Sequence, residues 1–311
     1  MILSICIPTY NNPDILIENI VLIKKQLSKF QGDFEIVIGE NFSNTENRNK
    51  ILNISSASIR FVLHESNIGF GYNLYKTMIE ANGENILLLG DDDFPQGSLL
   101  TELIIYLNEK KDPKLFFLPL STLPNYTQLD SKSILPWVYM RSGSMMGLVF
   151  KKQSCVLDSS KFKQALYPQI DLAMQYVIDH GFTAKSFVDI ISVGAGAPLV
   201  EKFNDKMQRP TDYGILERCE IIFRLHSKSK INYLTACRCL KNLLHWAMNI
   251  YFNLERENKV LAKKYIQTLV FGFLKNKKYF IIIIYLLFKS CLTNILKSWY
   301  KSIMLKVSTK K

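Results

Sequence analysis

The strand-like runs in the first part of this chain are apolar at nearly every position rather than at every second one. Ile2 to Ile7, Ile36 to Ile38 and Ile86 to Leu89 all read this way. A strand that is apolar on both sides must be covered on both sides, which restricts it to a mainly parallel sheet with helices on each face. The segments between the runs agree. Leu16, Ile20, Ile23, Leu27 and Phe30 fall on one face of a helix predicted over 15–30. A second helix is predicted over 71–81, ended by Asn82 and Gly83, and a third over 97–107. Further strands are expected at 59–63, 114–118, 148–150 and 184–193, and a helix over 167–180 stopped by Gly181. The rest of 119–165 reads as irregular. The fold class expected is therefore α/β.

In such sheets ligands bind beyond the carboxyl ends of the strands. That directs attention to three loops, those after Ile7, Gly39 and Gly90. The third holds the sharpest feature, Asp91-Asp92-Asp93, directly after the apolar run. Three adjacent carboxylates repel one another, and no cation lies nearby in sequence. A hard divalent ion, Mn²⁺ or Mg²⁺, would neutralise them and keep coordination sites for phosphate. The alternative is a solvated acidic turn ahead of the next helix. After the first strand, the loop Pro8, Thr9, Tyr10, Asn11 can wrap a nucleotide base with backbone groups and stack the Tyr10 ring. After the second, Glu40 and Asn41 can accept hydrogen bonds from a base or ribose. Asn67, Gly69, Gly71 and Asn73 open a helix, where glycines let backbone approach a ligand and the helix terminus favours an anion. Each of these three also reads as an ordinary turn when taken alone.

Taken together, the motifs resemble, in order and spacing, those of a family 2, GT-A-type glycosyltransferase. The resemblance covers residues 1 to about 110 well and runs loosely to about 200. Leu89-Gly90-Asp91-Asp92-Asp93 also resembles the abequosyltransferase branch of bacterial surface polysaccharide enzymes. The resemblance implies a Rossmann-like nucleotide-sugar fold and transfer of one sugar, usually with inversion. The donor would be a UDP-, dTDP-, CDP- or GDP-sugar, and the acceptor a lipid-linked glycan. Thr9, Tyr10, Glu40 and Asn41 would line the nucleotide pocket with Asn73 close by. Asp91 and Asp93 would bracket metal and diphosphate, with Asp92 beside them. An inverting enzyme needs a carboxylate to take the acceptor proton. Where the family places an acidic pair before a helix, this chain has Gln169, and Asp171 two residues later becomes the candidate base. Residues 141–147 resemble the acceptor-side loop.

Charge divides the chain. Residues 1–201 carry 17 Lys and Arg against 21 Asp and Glu, whereas 202–311 carry 22 against 6. The expected organisation is a catalytic domain over 1–200 and a basic helical region over 201–311 that meets an anionic membrane surface. Within the latter, Tyr279 to Phe288 is an apolar run of ten residues flanked by lysines. It is too short to span a bilayer, which takes about 20 residues, and suits a helix lying in the interface. Nucleic acid is not expected as a partner, because the charge interleaves with aliphatic helix. The six cysteines lack CxxC spacing and read as reduced, buried thiols. The first residues enter a strand without a basic leader, so the expected location is cytoplasmic, peripheral on the inner face of the membrane. Two rival readings are a non-catalytic membrane-bound scaffold and a metal-dependent nucleotidyltransferase. Thr9 and Asn11, standing where a phosphate-gripping basic loop would be needed, argue against the second.

Overall fold

Leu3–Thr9 (β1) and Phe34–Glu40 (β2) are buried at all seven positions each, and they pair in parallel with Thr9 opposite Glu40. Burial on both faces is what their unbroken apolar character demanded. The structure, a computed structural model, describes residues 1–54, 56–109, 116–117, 131–143, 145, 147–163, 165–181, 190–192 and 214–275. Asn85–Leu88 (β4) joins the other side of β1, also in parallel. Ile59–Leu63 (β3) forms the edge beside β2. Beyond β4 the direction reverses: Leu148–Lys151 (β7) is antiparallel to it, and Phe116–Phe117 (β6) is antiparallel to β7. The sheet order is β3-β2-β1-β4-β7-β6. A second, two-stranded sheet pairs Asp93–Pro95 (β5) with Ile190–Ser192 (β8), so the acidic segment runs straight into a strand.

The helix Pro13–Gln26 (α1) starts at Pro13, whose fixed φ suits a first turn, and carries Asp14 in that turn and Lys24 and Lys25 in the last. It ends four residues earlier than its apolar spacing predicts, because Leu27 and Phe30 close a turn through Phe30 N–H to Leu27 O at 2.9 Å. Phe70–Glu80 (α3) and Leu99–Glu109 (α4) follow the predicted helices closely. The helices over 45–52, 131–141 and 159–162 were not legible. Thr45–Leu52 (α2) buries only Ile51, so it has no apolar stripe, and it depends on Asn44, whose side chain caps Asn47 N–H. Ser131–Arg141 (α5) replaces part of the expected irregular stretch. Pro136 inside it disguised a helix that buries Ile134, Leu135, Val138 and Tyr139. Ser159–Phe162 (α6) and Pro168–His180 (α7) are the next helices among the described residues. The chain continues with Ile215–Ser227 (α8), Tyr233–Glu257 (α9) and Lys259–Lys275 (α10).

Two compact units result. One holds Met1–Pro198 with Glu220–Cys239, the other Leu199–Cys219 with Leu240–Lys311. The core of the first gathers β1, β2, β4, α1 and α4 through Ile5, Ile7, Leu16, Ile20, Ile36, Ile38, Leu87 and Leu103, all fully buried. In the second, the Arg218 guanidinium lies 4.6 Å from the Trp246 ring, and Tyr265 donates a hydrogen bond to Ala247 O at 3.1 Å. Among the described residues no helix is long and apolar enough to cross a membrane. The run from Tyr279 to Phe288 lies outside them, as do Gly194 to Gly196. The five described cysteines are free thiols. Burial pushes the Cys6 thiol up, and those of Cys155 and Cys239 up to about 12, so all three stay protonated and inert.

Candidate functional site at the carboxyl edge of the sheet

The acidic loop begins where β4 stops. Asp93 Oδ2 accepts the Gly90 N–H at 2.6 Å, and Asp93 N–H reaches back to Gly90 O at 3.2 Å. This folds two carboxylates over a residue without a side chain. A Cβ at Gly90 would stand 2.8 Å from both Asp92 Oδ1 and Asp93 Oδ2, so a larger residue would have to displace these carboxylates. From α1, the fully buried Asn19 donates to Gly90 O at 3.3 Å and to Asp91 O at 3.2 Å, fixing the loop from below. Asn19 was not anticipated. Its one signal is an amide on the apolar face of α1, next to Leu16, Ile20 and Ile23.

The Asp91 carboxylate is gripped from the β1 loop: Thr9 donates to Oδ2 at 2.7 Å, and Asn12 donates as well. Burial raises its pKa to about 6. The like charges of Asp92 and Asp93 push the same way, and the Thr9 and Asn12 hydrogen bonds oppose them. Asp93 itself is buried. Its charge reaches Arg141 at the end of α5 and strengthens that guanidinium's hold on its proton, which burial weakens. Among the described residues, no three His, Cys, Asp or Glu side chains are already arranged to hold a metal.

The β1 and β2 loops are stitched to each other. Asn11, at φ 52°, receives the Asn44 N–H on its Oδ1 at 2.8 Å and donates its own N–H to Ser43 Oγ at 2.8 Å. Pro8 lies within β1 opposite Gly39, and the half-buried Tyr10 follows directly after the strand. Glu40 is fully buried. Its Oε1 accepts the Ser43 N–H at 2.6 Å, and its Oε2 lies 3.2 Å from Arg48 Nε but receives no hydrogen bond.

Two residues expected at the ligand are hydrogen-bonded within the protein. Asn41 spends its amide on the loop: Nδ2 donates to Asn67 Oδ1 and Oδ1 accepts the Ile68 N–H, each at 2.9 Å. Asn73 is buried, donating to Gly39 O at 2.8 Å and meeting His64 Nε2 at 3.0 Å. Gly71 was read as room for a ligand. A Cβ there would instead collide with the carbonyl oxygens of Phe162 and Ala165, so this glycine exists for packing. Gly71→Ala is expected to lower stability by about 1–3 kcal/mol in urea unfolding, since backbone carbonyls cannot step aside.

On the acceptor side, Gln169 is buried, with Nε2 donating to Gly143 O at 3.3 Å and Oε1 unpartnered. Asp171, the candidate base, is bound into an ion pair. Arg224 on α8 approaches its Oδ1 at 2.8 Å and donates to Oδ2 at 3.1 Å. Gln175 donates to Oδ2 at 2.7 Å, and Lys161 stands 3.7 Å away. This ion pair ties α7 to α8, and Asp171 Oδ1, although 2.8 Å from Arg224, is buried and receives no hydrogen bond.

Residues 4–114 match the family model described as glycosyl transferase family 2. Over 116 residues the chain is 31% identical to abequosyltransferase RfbV of Salmonella typhimurium, spanning 36% of this chain but only 34% of that protein. Among solved structures, S. aureus TarS 1-349 in complex with UDP-GlcNAc is similar at TM-score 0.51 and 14% identity, covering 83% of this chain and 74% of that one. The mannosyltransferase PcManGT of Pyrobaculum calidifontis, solved with GDP-Man and Mn²⁺, is similar at TM-score 0.54 and 12% identity, over 92% and 84%. At those identities the likeness speaks for the fold.

Proposed function

With residues 4–114 a glycosyl transferase family 2 domain, we propose that this chain moves a sugar from a nucleoside-diphosphate-sugar donor to a lipid-linked glycan acceptor, with inversion at the anomeric carbon. One observation carries the reading: the 2.7 Å bond from Thr9 to Asp91 ties the loop placed for a nucleotide to the loop placed for a diphosphate. Donor binding therefore spans one continuous site. The solved relatives named above bind UDP-GlcNAc and GDP-Man, which supports a sugar nucleotide as the ligand class.

The residues fit a hard divalent cation. Asp92 Oδ1 and Asp93 Oδ2 crowd the same glycine, and Asp91 beside them is pushed toward protonation by burial and like charge. Mn²⁺ or Mg²⁺ takes one or two carboxylates and completes its shell with phosphate and water, so no ready-made cage of three protein ligands is required. Asp91 and Asp93 are the proposed ligands. The ion would supply positive charge where the leaving diphosphate gathers negative charge. Around it, Thr9 and Asn12 orient Asp91, and Asn19 holds the loop backbone. Glu40, buried and paired with Arg48, shapes the loop that would line the nucleotide pocket, and Tyr10 offers a ring face.

Thermal-shift measurements with UDP-, dTDP-, CDP- and GDP-sugars test the proposal, because a ligand that binds only the folded state raises the melting temperature. One nucleotide class is expected to stabilise the chain, and more strongly with Mn²⁺. Transfer to an extracted lipid-linked acceptor, with the product's anomeric configuration read by NMR, tests the reaction itself. Donor binding without transfer or hydrolysis would favour the scaffold reading.

The lipid-linked acceptor and membrane contact are supported by the basic character of 202–311. Binding to vesicles containing anionic lipid is expected to weaken steeply between about 0.1 and 1 M salt, as screening shortens the electrostatic range.

A further inference from the structure

Three described residues other than glycine have positive φ: Asn11 at 52°, Ser229 at 55° and Phe42 at 61°. Asn is among the residues that visit this region most readily. Phe42 is bulky and has no polar group with which to compensate, so its conformation must be imposed by its surroundings. Those surroundings are on either side of it. Ser43 N–H is fixed on Glu40 Oε1 at 2.6 Å, Ser43 Oγ takes the Asn11 N–H at 2.8 Å, and Asn44 N–H is fixed on Asn11 Oδ1 at 2.8 Å. Arg48 lies over the ring at 5.8 Å while its Nε pairs with Glu40. The result is an aromatic ring 46% exposed at the carboxyl edge of β2. Because Thr9 and Glu40 are opposite each other in the sheet, Tyr10 and Phe42 leave the ends of adjacent strands. Strained backbone that exposes an apolar ring serves neither folding nor solubility, and such strain gathers at ligand sites.

We propose that Phe42 is a nucleobase-stacking residue, an aromatic wall of the donor site in addition to Tyr10. The inference rests on the sugar-nucleotide reading and adds to it where the base lies and what holds it. A stacking wall raises affinity for any base, because every base has a π face. It therefore separates nucleoside diphosphates from bare pyrophosphate rather than one base from another.

The test is calorimetric titration of the full chain with UDP, GDP, CDP, dTDP and pyrophosphate, each with Mn²⁺. It compares wild type with Phe42→Ala, Phe42→Gly and Phe42→Trp. The nucleotide that binds wild type is expected to bind the Ala and Gly variants about tenfold or more weakly. Binding to the Trp variant should match or exceed wild type, and pyrophosphate should bind all four proteins alike. Melting temperatures separate ring from backbone. Phe42→Gly should be at least as stable as Phe42→Ala, since glycine adopts this φ freely, yet both should lose the same affinity. Ala and Gly variants that bind the nucleotide like wild type overturn the inference alone. So does an equal loss for nucleotide and pyrophosphate. A wild-type chain that binds none of the four nucleotides overturns the sugar-nucleotide reading as well.

Discussion

Asp91→Asn is expected to lower sugar transfer by about 10²–10³-fold without unfolding the chain. The substitution keeps the size of the side chain and its ability to accept from Thr9, but removes the charge that a cation and a leaving diphosphate would use. Its effect on stability should have the opposite sign. Burial holds the folded-state pKa of Asp91 at about 6, above the ordinary aspartate value of 3.8. The folded protein thus binds this proton more tightly than the unfolded chain. The resulting stability is fully present below about pH 4 and is lost as pH rises through about 6. Asparagine does not titrate. In metal-free protein, Asp91→Asn should therefore melt above wild type at pH 7.5, with the gap closing toward pH 4. Scanning fluorimetry across that range checks the trend, and a donor-turnover assay with Mn²⁺ checks the loss of activity. An Asp91→Asn enzyme as active as wild type would remove the acidic loop from the mechanism.

Arg224→Met is expected to cost about 2–3 kcal/mol of stability. Asp171 keeps only 7% of its side-chain area in contact with solvent, and Arg224 is its closest cation. Removing one member of a buried pair strands the other; the figure lies below the 3–5 kcal/mol typical of full burial because Arg224 is itself about a third exposed. Lys161 and Gln175 remain to soften the loss. Combining Arg224→Met with Asp171→Leu should recover much of it, because the stranded charge is then gone. Urea denaturation of the two single variants and the double gives the coupling energy. Asp171→Asn settles what the carboxylate is for. An anchor predicts reduced stability with kcat within about tenfold of wild type. A thousandfold fall in kcat at unchanged stability would instead restore Asp171 as the proton acceptor.

The sequence alone determined the parallel half of the sheet, the helices α1, α3 and α4, and the three loops at its carboxyl edge. These were legible because strand burial and helix amphipathicity are written in neighbouring residues, as continuous apolar runs for the strands and a period of 3.6 for the helices. The acid triplet was legible for the same reason: charge repulsion among adjacent carboxylates needs no fold to be apparent. Helix α2 escaped because it buries a single residue, and α5 because Pro136 interrupts it.

What only the tertiary structure decided was which partner each polar side chain meets. Asn41 and Asn73 stand in the right loops, yet they spend their amides on Asn67, Ile68, Gly39 and His64. Asp171 meets Arg224 across 53 positions of chain, and Asn19 meets the acidic loop across 71 and 72. Hydrogen bonds and ion pairs are satisfied by whichever partner the fold brings within about 3 Å, and sequence separation carries no trace of that distance. The local period of the chain could therefore point to the loops at the sheet's carboxyl edge, while the hydrogen bonds and ion pairs within them were set by contacts between residues far apart in sequence.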